Sequence, residues 1–166
     1  MTESTPLQID FSDRARGYRE LAATLSGLLS GETDLIANAA NTSALLASQL
    51  ADLNWVGFYL LRGDELVLGP FQGRPACVRI AMGRGVCGAA AQARLTLLVP
   101  NVHEYPDHIV CDSASNSEIV LPLLDGARLI GVLDLDSPKF SRFDQIDQAG
   151  LEAIAAIFVA SLRAGS

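Results

Sequence analysis

Two residues that can do chemistry stand close together in the stretch HIVCDSASNSEIVLPLL. Cys111 opens a polar loop of Ser, Asn and Asp, and Glu118 stands at the start of an apolar, strand-like segment. Cysteine is usually a small buried hydrophobe, and glutamate is rarely buried without a partner. A thiol and a carboxyl group in these unusual positions, seven residues apart, together indicate a site.

Two aspartates can enlarge the acidic part of this site. In GVLDLDS, the alternation of a strand places Asp134 and Asp136 on the face opposite to the neighbouring leucines. The flanking segment is too apolar for a fully exposed strand, so we expect both carboxyl groups beside a polar pocket, which Glu118 could join from the partner strand. Crowded carboxyl groups with little solvent cannot all be ionised, because repulsion and desolvation raise at least one pKa. Such a cluster stores a proton near neutral pH and can act as an acid or bind a cationic amine.

The three cysteines lead to different expectations. Their odd number and the lack of a CxxC pair fit neither a disulfide scaffold nor a zinc ribbon. A zinc site that adds His103 and His108 is not favoured by the spacing, so no metal is predicted. Cys77 falls in a predicted strand, where a buried structural thiol is the ordinary interpretation. Cys87 lies near a predicted helix N-terminus, whose dipole lowers the pKa of a thiol, whereas Cys111 lies in an accessible loop. Local reasoning therefore leaves both of them open as the nucleophile.

An aromatic pair could supply an apolar wall. In NWVGFYL, alternation places Trp55, Gly57 and Tyr59 on one face and three core residues on the other. The two rings with a gap between them are suited to holding a small apolar group. Amphipathic aromatic residues that lie half-buried on a sheet surface explain the same pattern equally well.

Hydrophobic periodicity predicts the elements that must position these residues. The predicted helices run from Ser12, as the N-cap, to Gly31, from Asp34 through LIANAANTSALLASQL, from near Val86, and through FDQIDQAGLEAIAAIFVASL. The predicted strands form one hairpin that turns at Arg62-Gly63-Asp64, the segments ACVRIAM and TLLVP, and a second hairpin that turns at Asp125-Gly126. A long loop from Asn101 to Asn116 precedes the second hairpin.

The hairpins imply an antiparallel sheet, so the fold class is α+β. We expect a single domain over residues 12–166 after a loose N-terminal tail over residues 1–11. Its central antiparallel sheet carries helices on one face and, on the other, a ligand pocket roofed by the long loop, since long irregular loops in compact domains are usually functional or disordered.

Composition restricts the class of protein. With 166 residues, of which 49% are hydrophobic, the chain can form one domain with a sizeable core. A formal net charge of −7 argues against nucleic acid or an anionic membrane as a partner. The sequence lacks the features of a signal peptide and any apolar run near the ~18 residues of a membrane span, so we expect a cytoplasmic protein.

Four segments closely resemble the free methionine-(R)-sulfoxide reductases, a family with the GAF fold. These segments are NWVGFYLL, LGPFQGRPACVRIAMGRGVCG, HIVCDSASNSEIVLPL and GVLDLDSP, and the likeness runs from GETDLIAN to RFDQIDQAGLEAI. The resemblance implies an oxidoreductase that reduces the R epimer of free methionine sulfoxide through a cysteine sulfenic acid and an intramolecular disulfide. It also implies recycling by thioredoxin, a homodimer and no bound cofactor.

The same resemblance assigns roles to individual residues. Cys111 matches the catalytic cysteine, Cys77 the resolving cysteine and Cys87 an auxiliary thiol, against the dipole argument above. The residues that match the family's pocket are Trp55, Tyr59, Glu118, Asp134 and Asp136. We expect Glu118 and Asp136 to share a proton that faces the sulfoxide oxygen, and Asp134 to take the substrate ammonium. The aromatic pair would form the methyl pocket, and backbone amides of residues 111–117 would hold the substrate carboxylate. The rival hypothesis is a GAF sensor that binds a small molecule without catalysis.

Overall fold

The computed structural model describes residues 6–163 and confirms the α+β class. Its helices are α1 (Arg14–Leu28), α2 (Leu35–Gln49), α3 (Gly85–Ala93) and α4 (Gln145–Ser161). Its strands are β1 (Trp55–Arg62), β2 (Glu65–Gly73), β3 (Arg79–Ala81), β4 (Leu97–Val99), β5 (Ser117–Asp125) and β6 (Arg128–Ser137). The strands pair antiparallel in one sheet with the order β3-β2-β1-β6-β5-β4. None of the helices within the described range is long and apolar enough to cross a membrane.

Aspartate side chains begin three of the helices. Asp34 and Asp144 cap α2 and α4 by accepting hydrogen bonds from first-turn amides, as N-cap carboxylates commonly do. The prediction that Ser12 caps α1 is wrong, because Asp13 accepts that bond. The hydroxyl and amide of Ser12 both donate instead to Asp10, at 2.9 and 2.8 Å, so the serine is already engaged one residue before the cap.

The main core lies between one face of the sheet and three helices. Helices α2 and α4 pack on the sheet, and α1 packs against α4. The leucine-rich face of the central strands is fully buried there, and Phe58 of β1 meets Phe158 of α4 with ring centroids 4.6 Å apart. The alternation predicted for β1 and β6 therefore sorts their residues correctly.

Helix α3 departs from the expectation that all helices share one face. It packs on the opposite face, where Cys87, Ala90 and Ala91 join the cluster around Trp55 and Tyr59. Its small residues permit this close approach, since a Cβ on Gly88 would lie 2.5 Å from the carbonyl oxygen of Ala81. The helix thus forms a side wall of the space beneath the long loop.

The segment ACVRIAM forms a much shorter strand than predicted. Only Arg79–Ala81 pairs with β2, and Cys77 lies in the preceding loop rather than in a strand. Pro70 on β2 and Pro75 on the incoming segment have no amide hydrogen to donate, so the ladder cannot continue towards them. The loop leaves the backbone around Cys77 free to approach the pocket.

Part of the predicted N-terminal tail is attached to the domain. The buried Ile9 donates its amide to Oε1 of Gln49 at 3.0 Å, and the Gln49 side chain donates back to the carbonyl of Leu7 at 2.9 Å. Residues 1–5 of the predicted tail and residues 164–166 of the predicted domain lie outside the described residues.

Candidate functional site

A small pocket of about 40 Å³ opens on the sheet face opposite to the main core. Strands β1, β5 and β6 form the floor, α3 forms one side, and the loop over residues 101–116 forms the roof. The side chains that line it include every predicted catalytic or binding residue except Cys77, namely Trp55, Tyr59, Cys87, Cys111, Glu118, Asp134 and Asp136.

Strand register brings the three carboxyl groups together. Asp136 is paired with Glu118 across β5 and β6, and Asp134 lies two residues earlier on the same face. All three are nearly buried, with exposed fractions of 5% for Glu118, 5% for Asp134 and 9% for Asp136. The polar floor of the pocket is therefore an acidic cluster, as the alternation predicted.

Burial makes ionisation of this cluster unfavourable. Desolvation raises the pKa of Glu118, and it raises the pKa of Asp134 and of Asp136 well above the ordinary aspartate value. The negative charge of Glu118 adds to the increase at both aspartates, and that of Asp136 adds to it at Asp134. The cluster consequently retains at least one proton under conditions where exposed carboxyl groups have lost theirs.

Little positive charge compensates the cluster. Among residues 6–163, the ion pairs include only one cationic candidate beside it, His108, whose Nε2 is 3.9 Å from Oε2 of Glu118. Burial lowers the pKa of His108, which favours the neutral imidazole. Within the same residues, the buried Oδ1 of Asp134 has no hydrogen-bond partner. The Asp134 carboxyl group hydrogen-bonds with Glu118 and Cys87, so Oδ1 is the part of this side chain that an external donor or cation would satisfy.

Cys77 and Cys111 form a disulfide at the edge of the pocket. Their Cα atoms are 5.5 Å apart although the residues are separated by 34 positions in sequence. The prediction that these two thiols pair is thus confirmed, and it rested on the family resemblance. Tyr59 holds the Cys77 side in place, because its hydroxyl donates to the Cys77 carbonyl at 2.9 Å.

Cys87 does not have the properties predicted from the helix dipole. It lies in the first turn of α3, yet it is 5% exposed and its Sγ faces Oε1 of Glu118 at 3.9 Å. Burial raises its pKa well above the ordinary thiol value, and the charges of Asp134 and Glu118 raise it further. Desolvation and neighbouring anions therefore outweigh the dipole and favour the protonated thiol.

The aromatic wall is closed rather than gapped. Trp55 and Tyr59 stack with ring centroids 5.8 Å apart, and Phe71 stacks on Trp55 at 5.2 Å. The expected space above Gly57 is filled, because a Cβ placed there would lie 2.3 Å from Cβ of Phe71. A small apolar group can contact the face of this wall but cannot enter between its rings.

The roof loop is shaped by three polar residues that sequence reasoning missed. The Asn54 amide donates to Asp112 at 3.1 Å and to the Ser115 hydroxyl at 3.0 Å, which ties the loop next to Cys111 to the start of β1. Asp112 in turn accepts from the amide of Ala114 at 2.9 Å. The position of Asp112 directly after Cys111 is the one signal that could have marked this cluster.

The same loop does not support the predicted carboxylate nest. The amides of residues 114, 115 and 116 donate to the Asp112 side chain, the Asp112 carbonyl and the Ser137 carbonyl. Three of the amides in the 111–117 stretch are thus engaged inside the protein.

The pocket floor also contains three groups that could hold a metal ion. Sγ of Cys87 and one carboxyl oxygen each of Glu118 and Asp134 lie within 4.8 Å of one another.

Comparison with known proteins gives a consistent result. The GAF domain family matches residues 34–162. The free methionine-R-sulfoxide reductase of Escherichia coli is 53% identical over 139 residues, which cover 84% of each chain. The structure of the free methionine-R-sulfoxide reductase of Neisseria meningitidis in complex with its substrate matches with a TM-score of 0.90 at 45% identity over 96% of each chain. A putative GAF sensor protein from Burkholderia vietnamiensis matches with a TM-score of 0.85 at 55% identity, over 88% of this chain and 96% of the other.

Proposed function

Because the chain belongs to the free methionine-R-sulfoxide reductases, a family with the GAF fold, we propose that it reduces free methionine-(R)-sulfoxide to methionine. One observation carries this proposal: a cysteine in a disulfide, Cys111, lines the same pocket as three buried carboxyl groups. A reducible sulfur beside a stored proton is what sulfoxide reduction requires, since a thiolate must attack a weakly electrophilic sulfur while the departing oxygen gains a proton.

The first step transfers oxygen from the substrate to the protein. In the reduced enzyme, the Cys111 thiolate attacks the sulfoxide sulfur, and the proton shared by Glu118 and Asp136 moves to the oxygen as the S–O bond breaks. The protonated oxygen passes to Sγ of Cys111 as the transient bond between the two sulfurs breaks, and the bonding pair stays with the substrate sulfur. The products are methionine and a sulfenic acid on Cys111. Burial raises the pKa of both carboxyl groups, which favours the protonated form that this step requires.

The pocket would recognise the substrate through an acidic contact to its ammonium group and an aromatic contact to its methyl group. The substrate ammonium would bind at the unpaired Oδ1 of Asp134 and stabilise the ionised carboxylate, which the pocket without substrate disfavours. The wall of Trp55 and Tyr59 contacts the methyl group, so that only one epimer directs its oxygen towards the carboxyl groups. Methionine within a polypeptide has an amide in place of the ammonium, and it is therefore a poor substrate.

The second step restores the cysteine. The Cys77 thiol attacks the sulfenic acid, water leaves, and the disulfide forms, as the 5.5 Å separation of the two Cα atoms permits. Thioredoxin, the proposed reductant, reopens the bridge by thiol–disulfide exchange. We propose that the protein works in the cytoplasm and counters oxidative stress there, since the cycle needs a dithiol reductant. No step requires a bound cofactor.

The deciding assay uses separated R and S epimers, both free and within a peptide. We expect turnover with thioredoxin for the free R epimer alone. Turnover of the peptide-bound form, or equal rates for both epimers, would contradict the proposed recognition.

The rival function is a sensor that binds a small molecule without chemistry, the description given to the relative from Burkholderia vietnamiensis. Titration of free thiols in the reduced protein separates the two hypotheses. Addition of free methionine sulfoxide should remove two thiols per chain from an enzyme and none from a sensor.

We also propose that the protein is a homodimer. The proposal rests on the family likeness, because the amphipathic helices do not indicate which face pairs. Light scattering coupled to size-exclusion chromatography should give twice the mass of the chain.

A further inference from the structure

Three donor groups on the pocket floor form a set that the proposed reaction does not use together. They are the Cys87 thiol and the carboxyl groups of Glu118 and Asp134, with donor atoms within 4.8 Å of one another. Two ligands of a tetrahedral zinc ion, at bond lengths of about 2.1 and 2.3 Å, are separated by roughly 3.6 Å. Cys87 Sγ and Glu118 Oε1 are already 3.9 Å apart, so only small shifts would be needed to coordinate an ion.

The surroundings of these groups lack the charge that a cation would supply. Asp134 is 5% exposed, and its Oδ1 has no hydrogen-bond partner within residues 6–163. Arg84 also lines the pocket, but its guanidinium pairs with Asp107 in the roof loop, at 2.5 and 2.7 Å. A dication at this position would satisfy the unpaired oxygen and neutralise most of the local negative charge.

A fourth ligand would require a movement of His108, whose ring lies outside the set of donor atoms within 4.8 Å of one another. The Nε2 atom of His108 lies 3.9 Å from Oε2 of Glu118, at the side of the cluster that faces the roof loop. Thiolate, imidazole and carboxylate together are a ligand set typical of zinc, which usually takes four ligands. This set shares Cys87 and His108 with the cysteine–histidine grouping that the sequence spacing disfavoured, and it replaces the other members with two carboxyl groups.

We propose that the disulfide form of this protein binds one thiophilic divalent cation, such as Zn²⁺, through Cys87, Glu118 and Asp134, and that the bound ion excludes the substrate. Coordination replaces the thiol proton and the protons held by the carboxyl groups, which pass to solvent, and no oxidation state changes. The exclusion of substrate rests on the proposed function, since Glu118 and Asp134 are also the proposed contacts of the sulfoxide and the ammonium.

Cobalt provides a direct probe of the ligand set. In the oxidised protein, Cys77 and Cys111 are held in the disulfide, so Cys87 is the one free thiol. Addition of CoCl₂ to metal-free oxidised protein should produce a thiolate-to-cobalt charge-transfer band in the near ultraviolet that saturates at one equivalent. The band should be absent in Cys87→Ser, and cobalt affinity should fall about tenfold or more in Asp134→Asn. Glu104→Gln, which alters an exposed carboxylate of the roof loop, should bind cobalt as the parent does.

Several results would overturn the site. These are the absence of the band at millimolar cobalt, or unchanged cobalt affinity in Cys87→Ser or in Asp134→Asn. Circular dichroism of each variant checks that a lost signal does not come from unfolding, and calorimetry with ZnCl₂ provides a measurement that does not depend on the band.

A separate experiment tests the exclusion of substrate. Zn²⁺ should weaken the binding of free methionine-(R)-sulfoxide to the oxidised protein competitively, with an inhibition constant equal to its own dissociation constant. Cobalt binding without competition would overturn the exclusion while leaving the metal site intact. A sulfoxide that binds without being reduced by the reduced protein would instead contradict the proposed function.

Discussion

At the residue scale, the two thiols at positions 87 and 111 differ through their surroundings rather than their type. Cys87 lies in the first turn of a helix, but it is buried among acids that raise its pKa. Cys111 lies in a roof loop and has reacted with Cys77. A helix dipole contributes up to about 2 kcal/mol, whereas loss of solvent around a charged group can cost several times as much. Access to solvent therefore decides which thiol reacts.

Serine variants of Cys111 and Cys77 should fail at different steps. Cys111→Ser should release no methionine, because no thiolate remains to accept the oxygen. Cys77→Ser should release about one methionine per chain and then stop, since the sulfenic acid has no resolving partner. Quench-flow measurement of methionine release in the presence of thioredoxin tests both variants. Sustained turnover by Cys77→Ser would remove its resolving role.

The acidic cluster should make stability fall as pH rises. Because burial raises the pKa of Asp134 in the folded state, folding takes up a proton between the unfolded pKa of about 3.9 and the higher folded pKa. Stability from this group is therefore fully present below the unfolded pKa and is lost as pH rises through the folded one.

Asp134→Asn removes the carboxyl group whose pKa differs between the folded and the unfolded protein. The gain in the free energy of unfolding, relative to the parent, should be larger at pH 8 than at pH 5 in urea titrations of the oxidised protein. Glu104→Gln, at an exposed position, should change the free energy by less than about 0.5 kcal/mol at either pH. An Asp134→Asn difference that is the same at both pH values would contradict the buried, protonated state.

At the element scale, the site depends on loops that rigid strands hold in place. The register of β1, β6 and β5 aligns the aromatic and acidic side chains on one face. The roof loop is attached to this platform through Asn54, and the loop that carries Cys77 is attached through the Tyr59 hydroxyl. A side chain assigned to substrate contact thus also positions the resolving cysteine.

Tyr59→Phe should slow disulfide formation relative to oxygen transfer. The variant keeps the ring but removes a hydrogen bond to the Cys77 carbonyl, worth about 0.5–1.5 kcal/mol. We therefore expect the ratio of the rate of thiol loss to the rate of methionine release to fall about 2- to 10-fold. Both rates can be read from one rapid-quench time course. An unchanged ratio would show that the hydroxyl does not position the loop.

At the scale of the whole molecule, a buried polar network joins segments that are distant in sequence. Asp147 of α4 accepts the Tyr18 hydroxyl of α1 at 2.8 Å and pairs with Arg14 and Arg142. The Arg142 guanidinium also donates to the carbonyl of Ala51, at 3.1 Å. The network therefore connects α1, the start of α4 and the segment before β1, on the side of the sheet away from the pocket.

Asp147→Ala should destabilise the fold without altering the pocket. The substitution removes the acceptor of the Tyr18 hydroxyl and one of the partners of each guanidinium group, since Arg14 still pairs with Asp144 and Arg142 with the Ala51 carbonyl. Since both arginines are partly exposed, we expect a loss of about 2–4 kcal/mol in the free energy of unfolding rather than the full cost of breaking a buried pair. Urea unfolding measures this loss, and Glu152→Gln on the same helix should lose less than about 1 kcal/mol. A loss that small in Asp147→Ala would show that the network contributes little.

Sequence alone determined which side chains share a face and where most elements begin. The alternation of β1 and β6 placed Trp55, Tyr59, Asp134 and Asp136 on one side, because strand parity is a local property of the chain. Aspartate caps and glycine turns likewise act within a few residues, so the order of helices and hairpins was predictable. The family motifs supplied the pairing of Cys77 with Cys111, which no local pattern contained.

Only the tertiary structure decided the environment of each group. It placed α3 on the pocket face, buried Cys87 among acids, closed the space between the aromatic rings and engaged the amides of the roof loop. These outcomes depend on desolvation, charge and packing, to which residues from distant parts of the chain contribute together. The sequence shows which residues carry hydrogen-bond donors and acidic groups. Their pKa values and their partners are set only when the fold brings these residues together.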